Sequence, residues 1–412
     1  MKNEELRKRS FLYNLAKRAF YSMAFLILPL QIYGDNWMER LPDDTYVAVV
    51  SIPGVHDAAT GSGWGSGYGD LGNAFARTQE LSLSALWSIG IRAFDLRPCT
   101  RSGYLNINHG IIPTSLRFDA ALRLLCDSLA ANPSEFVIIH LLHETDGDQV
   151  DGTYNQQLLD VLGNDAIAPF LVAFRRNLTV ADVRGKMLIL SRDAYASKPV
   201  GGFIRNWSHS TDWSSMTKGQ ITGATSSATG TLYMQDYYDT SAAGALDTKI
   251  AAMTRLLRFS TTHVTRTATS IRWVMSFASA YSLTTSLFGY TISTSDGYRD
   301  NAAHTHRAIL DFLAENDAGP TGIIFMDYAG IDQTTGYATL GRQLTDALIA
   351  NNFRYLDDRL AIDSPVCPSQ PSAKAVEPVA VYSLTGTLLP TPRRGTLCLV
   401  RYADGTVRKI VF

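Results

Sequence analysis

Residues 45–57 read TYVAVVSIPGVHD: an apolar run from Tyr46 to Val50, a Pro53–Gly54 pair that reads as the stop of a strand, then His56 and Asp57 side by side. Two titratable side chains at a tight turn are unfavourable for packing and useful for chemistry. Seven further runs share the pattern of an apolar or β-branched stretch that ends in polar or ionisable residues. They are GIRAFDLRP (90–98), YLNINHG (104–110), EFVIIHLLHE (135–144), GKMLILSRD (185–193), TLYMQDYY (231–238), IRWVMSFAS (271–279) and TGIIFMDYAG (321–330).

Between several of these runs lie helical patterns such as LRFDAALRLLCDSLAANP (116–133) and LGRQLTDALIANN (340–352), with apolar residues returning every three or four positions. Strands that alternate with helices predict an α/β protein with a parallel sheet, and eight of them predict a distorted (β/α)8 TIM barrel. The gap between Pro98 and Tyr104 is too short for a crossover helix, so the barrel is expected to be irregular there. Barrels of this kind carry their catalytic groups at the C-terminal strand ends. The ionisable residues of this chain recur at those ends.

Composition sets the frame. The 412 residues carry 37 Lys+Arg against 38 Asp+Glu and are 46% hydrophobic, which is ordinary globular usage without the basic surplus of a nucleic-acid binder. Residues 1–34 combine a basic start with an apolar stretch (19–34) too short to span a bilayer comfortably, and read as a signal peptide and hence export. An uncleaved anchor is the alternative. A catalytic barrel is expected over 35–362, a Pro/Ser-rich linker over 363–377 and a small C-terminal β unit over 378–412, where strand-like runs are separated by Thr-Gly, Arg-Gly and Asp-Gly. None of Cys99, Cys126, Cys367 and Cys398 is spaced for a zinc or redox motif, and their pairing stays open.

His56 and His109 are the candidate acid–base pair. Two imidazoles in one cleft can divide proton transfer in a phosphodiester cleavage whose nucleophile is a neighbouring hydroxyl. Asp95 and Arg97 fall on one face of a strand, and a carboxylate-held guanidinium suits phosphate oxygens. His140 and His143 alternate in their strand, which argues against zinc. The HTH at 304–306 reads as a solvated helix start. GYGDLG (67–72) lacks the strand that a nucleotide loop requires, so the surrounding glycine-rich loop reads as a rim in which Trp64 and Tyr68 either contact lipid or pack inward.

In their order and spacing, SIPGVHDAAT, GIRAFDLRP, INHG, NPSEFVIIHLLHE and GKMLILSR resemble the X domain of bacterial phosphatidylinositol-specific phospholipase C, over about Trp37 to Leu360. The resemblance implies a barrel that cleaves an inositol phospholipid by attack of the inositol 2-hydroxyl, giving diacylglycerol and a cyclic inositol phosphate. It assigns His56 as general base, His109 as general acid, Arg97 to the phosphate, Asp57 to the His pair, and Asp327 to orienting the base. Arg192, Asp236, Tyr238 and Glu144 match headgroup-binding positions. Leu142 stands where relatives often have Lys, which leaves another lipid headgroup or a glycosylated anchor open.

Calcium-dependent members of the family place an acid at the position of Arg97, so no metal and no cofactor are expected, with calcium dependence as the alternative. The expected partner is a membrane interface met transiently by a monomer, with no nucleic acid. A non-catalytic protein that binds inositol glycans is the competing reading, against which the complete acid–base set argues. The C-terminal unit resembles the sorting domains of type IX secretion cargo, with a plain accessory β unit as the alternative.

Overall fold

The computed structural model describes residues 36–144, 151–209, 217–225, 227–262, 271–283, 285–287, 290–362, 378–382, 397–402 and 407–411. The expected signal peptide and linker lie outside them. The chain falls into two compact units, Met1–Leu356 and Asp357–Phe412. In the second, Pro378–Tyr382, Leu397–Tyr402 and Val407–Val411 pair as a three-stranded antiparallel sheet.

The first unit is built on a closed barrel. Around it run Ile52–Val55, Ile323–Met326, Trp273–Phe277, Thr229–Gln235, Thr217–Thr222, Gly202–Arg205, Met187–Ser191, Val137–Leu141 and Ala93–Leu96, which returns to the first. Neighbours are parallel except at Thr217–Thr222, which is antiparallel to both of its partners.

Two expectations are corrected here. YLNINHG is not a barrel strand: Tyr104–His109 pairs with Pro98–Arg101 and Ile112–Arg117 in a separate antiparallel sheet, so the short Pro98–Tyr104 gap is a hairpin and not a crossover. Gly202–Arg205 and Thr217–Thr222 are the strands the sequence hid. Glycines and polar residues dilute their apolar pattern.

The first strand also starts later than expected. Val47–Val49 is a 3₁₀ turn, and the strand runs through Pro53 and Gly54. Proline is tolerated because the neighbouring strand begins only opposite Gly54, so the absent N–H breaks no ladder bond. Gly54 is required by crowding: a Cβ there would lie 2.9 Å from that of Ala93 and 3.0 Å from the Phe325 ring.

Strand alternation then sorts the side chains. Ile52, Ala93, Ile138, Leu188, Leu190, Met234, Met275, Phe277, Ile323 and Phe325 belong to the core inside the barrel, whereas Val55, Phe94, Leu96, Ile139, Leu141, Ile189, Ile324 and Met326 pack outward. The outward set meets helices such as Phe118–Ala131, whose Ala121, Leu122, Leu125 and Leu129 form one buried stripe. Cys99 and Cys126 are buried, and the Cys99 thiol donates to the Glu144 carbonyl at 3.4 Å.

Candidate active site

Continuing the inner face upward gives the site. The positions that follow Phe325, Gly54, Ala93, Ile138, Leu190 and Met234 at intervals of two include Asp327, His56, Asp95, Arg97, His140, Arg192 and Asp236, so one alternation lines the mouth with polar groups. Register aligns them: Val55 lies opposite both Met326 and Phe94, which brings His56, Asp327 and Asp95 to one level. The backbone leaves ordinary strand geometry at Asp57 (φ 44°) and Tyr328 (φ 49°), the residues after the strands that carry His56 and Asp327. Left-handed backbone at such turns is costly and is kept where it aims a side chain.

His56 is fully buried, with Nδ1 2.8 Å from Asp327 Oδ1 and Nε2 3.3 Å from Asp57 Oδ2. Burial, and then the Arg97 charge, hold the His56 imidazole well below its ordinary pKa, so it is neutral with Nδ1–H donated to Asp327 and a lone pair on Nε2. Burial and the Asp57 charge raise the Asp327 carboxyl, while the Lys249 and Arg97 cations act against them and the His56 Nδ1–H bonds the ionised form. Asp57 is pushed up to about 6, again by burial.

Arg97 is the cationic centre. Its guanidinium lies 3.0 Å from Asp95, 3.1 Å from Asp57 and 3.4 Å from Glu144. The bonds to Asp95 and Glu144 are in line, whereas the Asp57 contact is an ion pair without hydrogen-bond alignment. Glu144 also accepts from the Gly110 backbone at 2.7 Å, tying the hairpin that bears His109 to the clamp. His109 donates Nδ1–H to the Ala76 carbonyl at 2.7 Å, lies 3.5 Å from Asp57 and turns Nε2 to the Tyr298 hydroxyl at 3.5 Å. His56, Asp57, Arg97, His109, Asp327 and Glu144 thus form one connected group.

Arg192 and Asp236 form a second group beside it. His209 accepts from Arg192 at 3.2 Å and approaches Asp236 at 2.9 Å, and Trp207 donates to Asp236 at 2.9 Å while its ring lies 4.6 Å under the Arg192 guanidinium. Tyr238 lies edge-on to His56, ring centres 5.9 Å apart. Among the described residues, His56, Asp57 and Asp95 are close enough for a shared metal ion, with donor atoms within 4.8 Å of one another. The Arg97 guanidinium already stands against both carboxylates and would repel a cation there, and three protein ligands fall short of the oxygen shell calcium takes, so the set is a poor fit for a divalent cation.

Several residues escaped the sequence reading. Gln79 donates at 2.9 Å to both the His56 and the Met326 carbonyls and accepts from Ala329 N, stapling the turns that carry His56 and Asp327. No motif marks it. Asp95 was legible as a partner of Arg97, but its bond to His140 was not. Trp64 is half-buried and packs along its own loop: its ring fills the space a Cβ on Gly72 would need, and it donates to Asn73 at 2.9 Å. Exposed apolar side chains among the described residues include Leu71 on that loop and Ile111 on the turn after His109.

No family model matches the chain. A 1-phosphatidylinositol phosphodiesterase of Listeria monocytogenes is 32% identical over 169 residues, 40% of this chain and 50% of that protein, so the chain spans about half the length of this curated relative. A phosphatidylinositol-specific phospholipase C structure from Staphylococcus aureus superposes with a TM-score of 0.60 at 20% identity, covering 76% of this chain and 97% of that one. The Listeria phospholipase structure gives 0.55 at 22% identity, covering 77% and 98%. The barrel has the fold of these phospholipases.

Proposed function

We propose that the protein is a metal-independent phosphatidylinositol-specific phospholipase C. The observation that carries this reading is a neutral His56 with a carboxylate behind it and a second imidazole, His109, across the Arg97–Asp57 pair. His56 Nε2 takes the proton of the inositol 2-hydroxyl, whose oxygen attacks phosphorus. Arg97 holds a non-bridging oxygen as charge builds. The bond to the glyceryl oxygen breaks, and His109 gives that oxygen its proton. Diacylglycerol leaves and inositol 1,2-cyclic phosphate remains. Asp327 stabilises the imidazolium on His56, while Asp57 lies between the two rings and couples them.

Arg192, Asp236, Tyr238 and Glu144 serve as headgroup contacts in this reading. Leu142, and the seat of His209 between Arg192 and Asp236, favour a second reading in which another inositol-type headgroup or a glycosylated anchor is preferred. Export, transient contact of a monomer with a lipid surface, and a sorting role for the C-terminal sheet complete the proposal. They rest on the sequence of residues 1–34 and the β unit. Phosphorus NMR of the protein with phosphatidylinositol micelles and EDTA tests the core of it: a cyclic phosphate resonance is expected. Product with calcium only would remove the metal-independent mechanism, and no product either way would remove phosphatidylinositol as substrate.

A further inference from the structure

One buried histidine has no part in the proton transfers above. His140 lies opposite Asp95 in the parallel ladder, and both side chains point into the barrel. Its Nδ1 is 2.7 Å from Asp95 Oδ1. The other oxygen of Asp95 takes the Arg97 guanidinium, at 3.0 and 3.1 Å, and the backbone N–H of Asp57 at 3.2 Å. Asp95 is therefore a hub that fixes the phosphate-facing cation and the left-handed turn after His56, and His140 is what holds the hub from below.

The surroundings of His140 leave it little else to do. It is completely buried, its Nε2 has no hydrogen-bond partner among the described residues, and its ring sits among Phe277, Phe325 and Trp207 at 5.4 to 5.6 Å. Burial lowers its pKa and keeps it neutral, so its one N–H is committed to Asp95. An imidazole in an apolar cage with one nitrogen unsatisfied is destabilising compared with a leucine. The bond to Asp95 is what offsets that cost.

Building on the phosphodiesterase reading, we propose that His140 is a positioning residue: through Asp95 it sets the direction of the Arg97 guanidinium and the turn at Asp57. The side chain touches no substrate. Its effect is read through the geometry of the clamp.

Three variants separate this from simple packing. His140→Leu keeps an apolar filler and removes the donor. His140→Asn restores a donor at the place of Nδ1, and His140→Gln places its amide at the position of Nε2, away from Asp95. Without substrate, the Arg97 Nε–H resonance in NMR of the full chain is expected to coincide in wild type and H140N and to shift in H140L and H140Q. With a phosphorothioate analogue of phosphatidylinositol, H140L and H140Q are expected to lose kcat by about 10- to 100-fold at nearly unchanged KM, with a matching collapse of the preference between the two sulfur diastereomers. H140N should recover most of both.

An unmoved Arg97 resonance and an intact diastereomer preference in folded H140L overturn the proposal, as does an H140N as impaired as H140L. Should H140L not fold, the H140N and H140Q pair decides by the same readouts. A wild-type protein without turnover would count against the phosphodiesterase reading, and the NMR comparison would still decide the clamp.

Discussion

Replacing Asp327 by Asn tests the base with little steric change. Nδ1 of His56 and Oδ1 of Asp327 are 2.8 Å apart, which puts the centres of the two charges roughly 4 Å apart. At an effective dielectric constant of about 20 the attraction there is about 4 kcal/mol. It is absent while the imidazole is neutral and complete once the ring has taken the 2-hydroxyl proton, so it acts on the transition state and not on the bound substrate. At about 1.4 kcal/mol for each tenfold step, D327N should lower kcat by about three orders of magnitude and leave KM nearly as it was. The assay is release of water-soluble phosphate from phosphatidylinositol micelles at pH 7, with a thermal melt to show that the barrel is intact. A folded D327N within about tenfold of wild type would mean that Asp327 does not stabilise the imidazolium.

Three further outcomes follow from other parts of the barrel. His306 is buried in the helix Ser295–Glu315 against the Thr339 carbonyl, and burial lowers its pKa from 6.5 to about 4, so the unfolded chain binds the extra proton between those values. The stability it contributes at neutral pH is lost as pH falls through that window, by about 3 kcal/mol; urea unfolding at pH 7 and 4.5 should show a smaller acid loss in His306→Leu, and an equal loss would refute the assignment. Gly54→Ala forces a methyl onto Ala93 and Phe325, which should cost about 1–3 kcal/mol and lower the urea midpoint; an unchanged midpoint would show that the strand shifts freely. Gln79→Leu removes the donor to the His56 carbonyl and the acceptor of the Ala329 N–H, leaving two buried groups unpaired at about 1–3 kcal/mol each while the Met326 carbonyl keeps the His56 N–H, and should lower both melting temperature and kcat, whereas an unaffected kcat would detach the staple from the site.

The candidate set that the structure brings together was legible because strand alternation and strand-end chemistry are local. His56, Arg97 and Asp327 stand one or two residues beyond short apolar runs, and those runs are barrel strands. His109 was legible as chemistry but misplaced in topology, since YLNINHG has a strand's composition whichever sheet it joins. Non-local pairing decided that, and a single run carries no record of it. Gln79 and Tyr298 were invisible for the same reason: each acts through contacts more than twenty residues away. The HTH at 304–306 was read as a solvated helix start, but it lies midway along Ser295–Glu315, where two positions apart on a helix is opposite enough to expose His304 and bury His306.

The irregularity of the barrel is compatible with its chemistry because the two are spatially separate. Ile323–Met326, Ile52–Val55, Ala93–Leu96 and Val137–Leu141 are consecutive parallel neighbours and carry Asp327, His56, Asp95 with Arg97, and His140. The antiparallel strand Thr217–Thr222 lies four places from Ile52–Val55 in one direction around the ring, beyond the strand that leads to Asp236. A change of strand direction there does not alter the register that sets His56 level with Asp95 and Asp327. It does alter the wall that carries Trp207, His209 and Asp236. The proposed acid–base half of the site is therefore held by regular register, whereas the proposed headgroup half is held by side-chain contacts among Arg192, Trp207, His209 and Asp236. Changes in headgroup preference should map to that irregular side, and changes in kcat to the regular one.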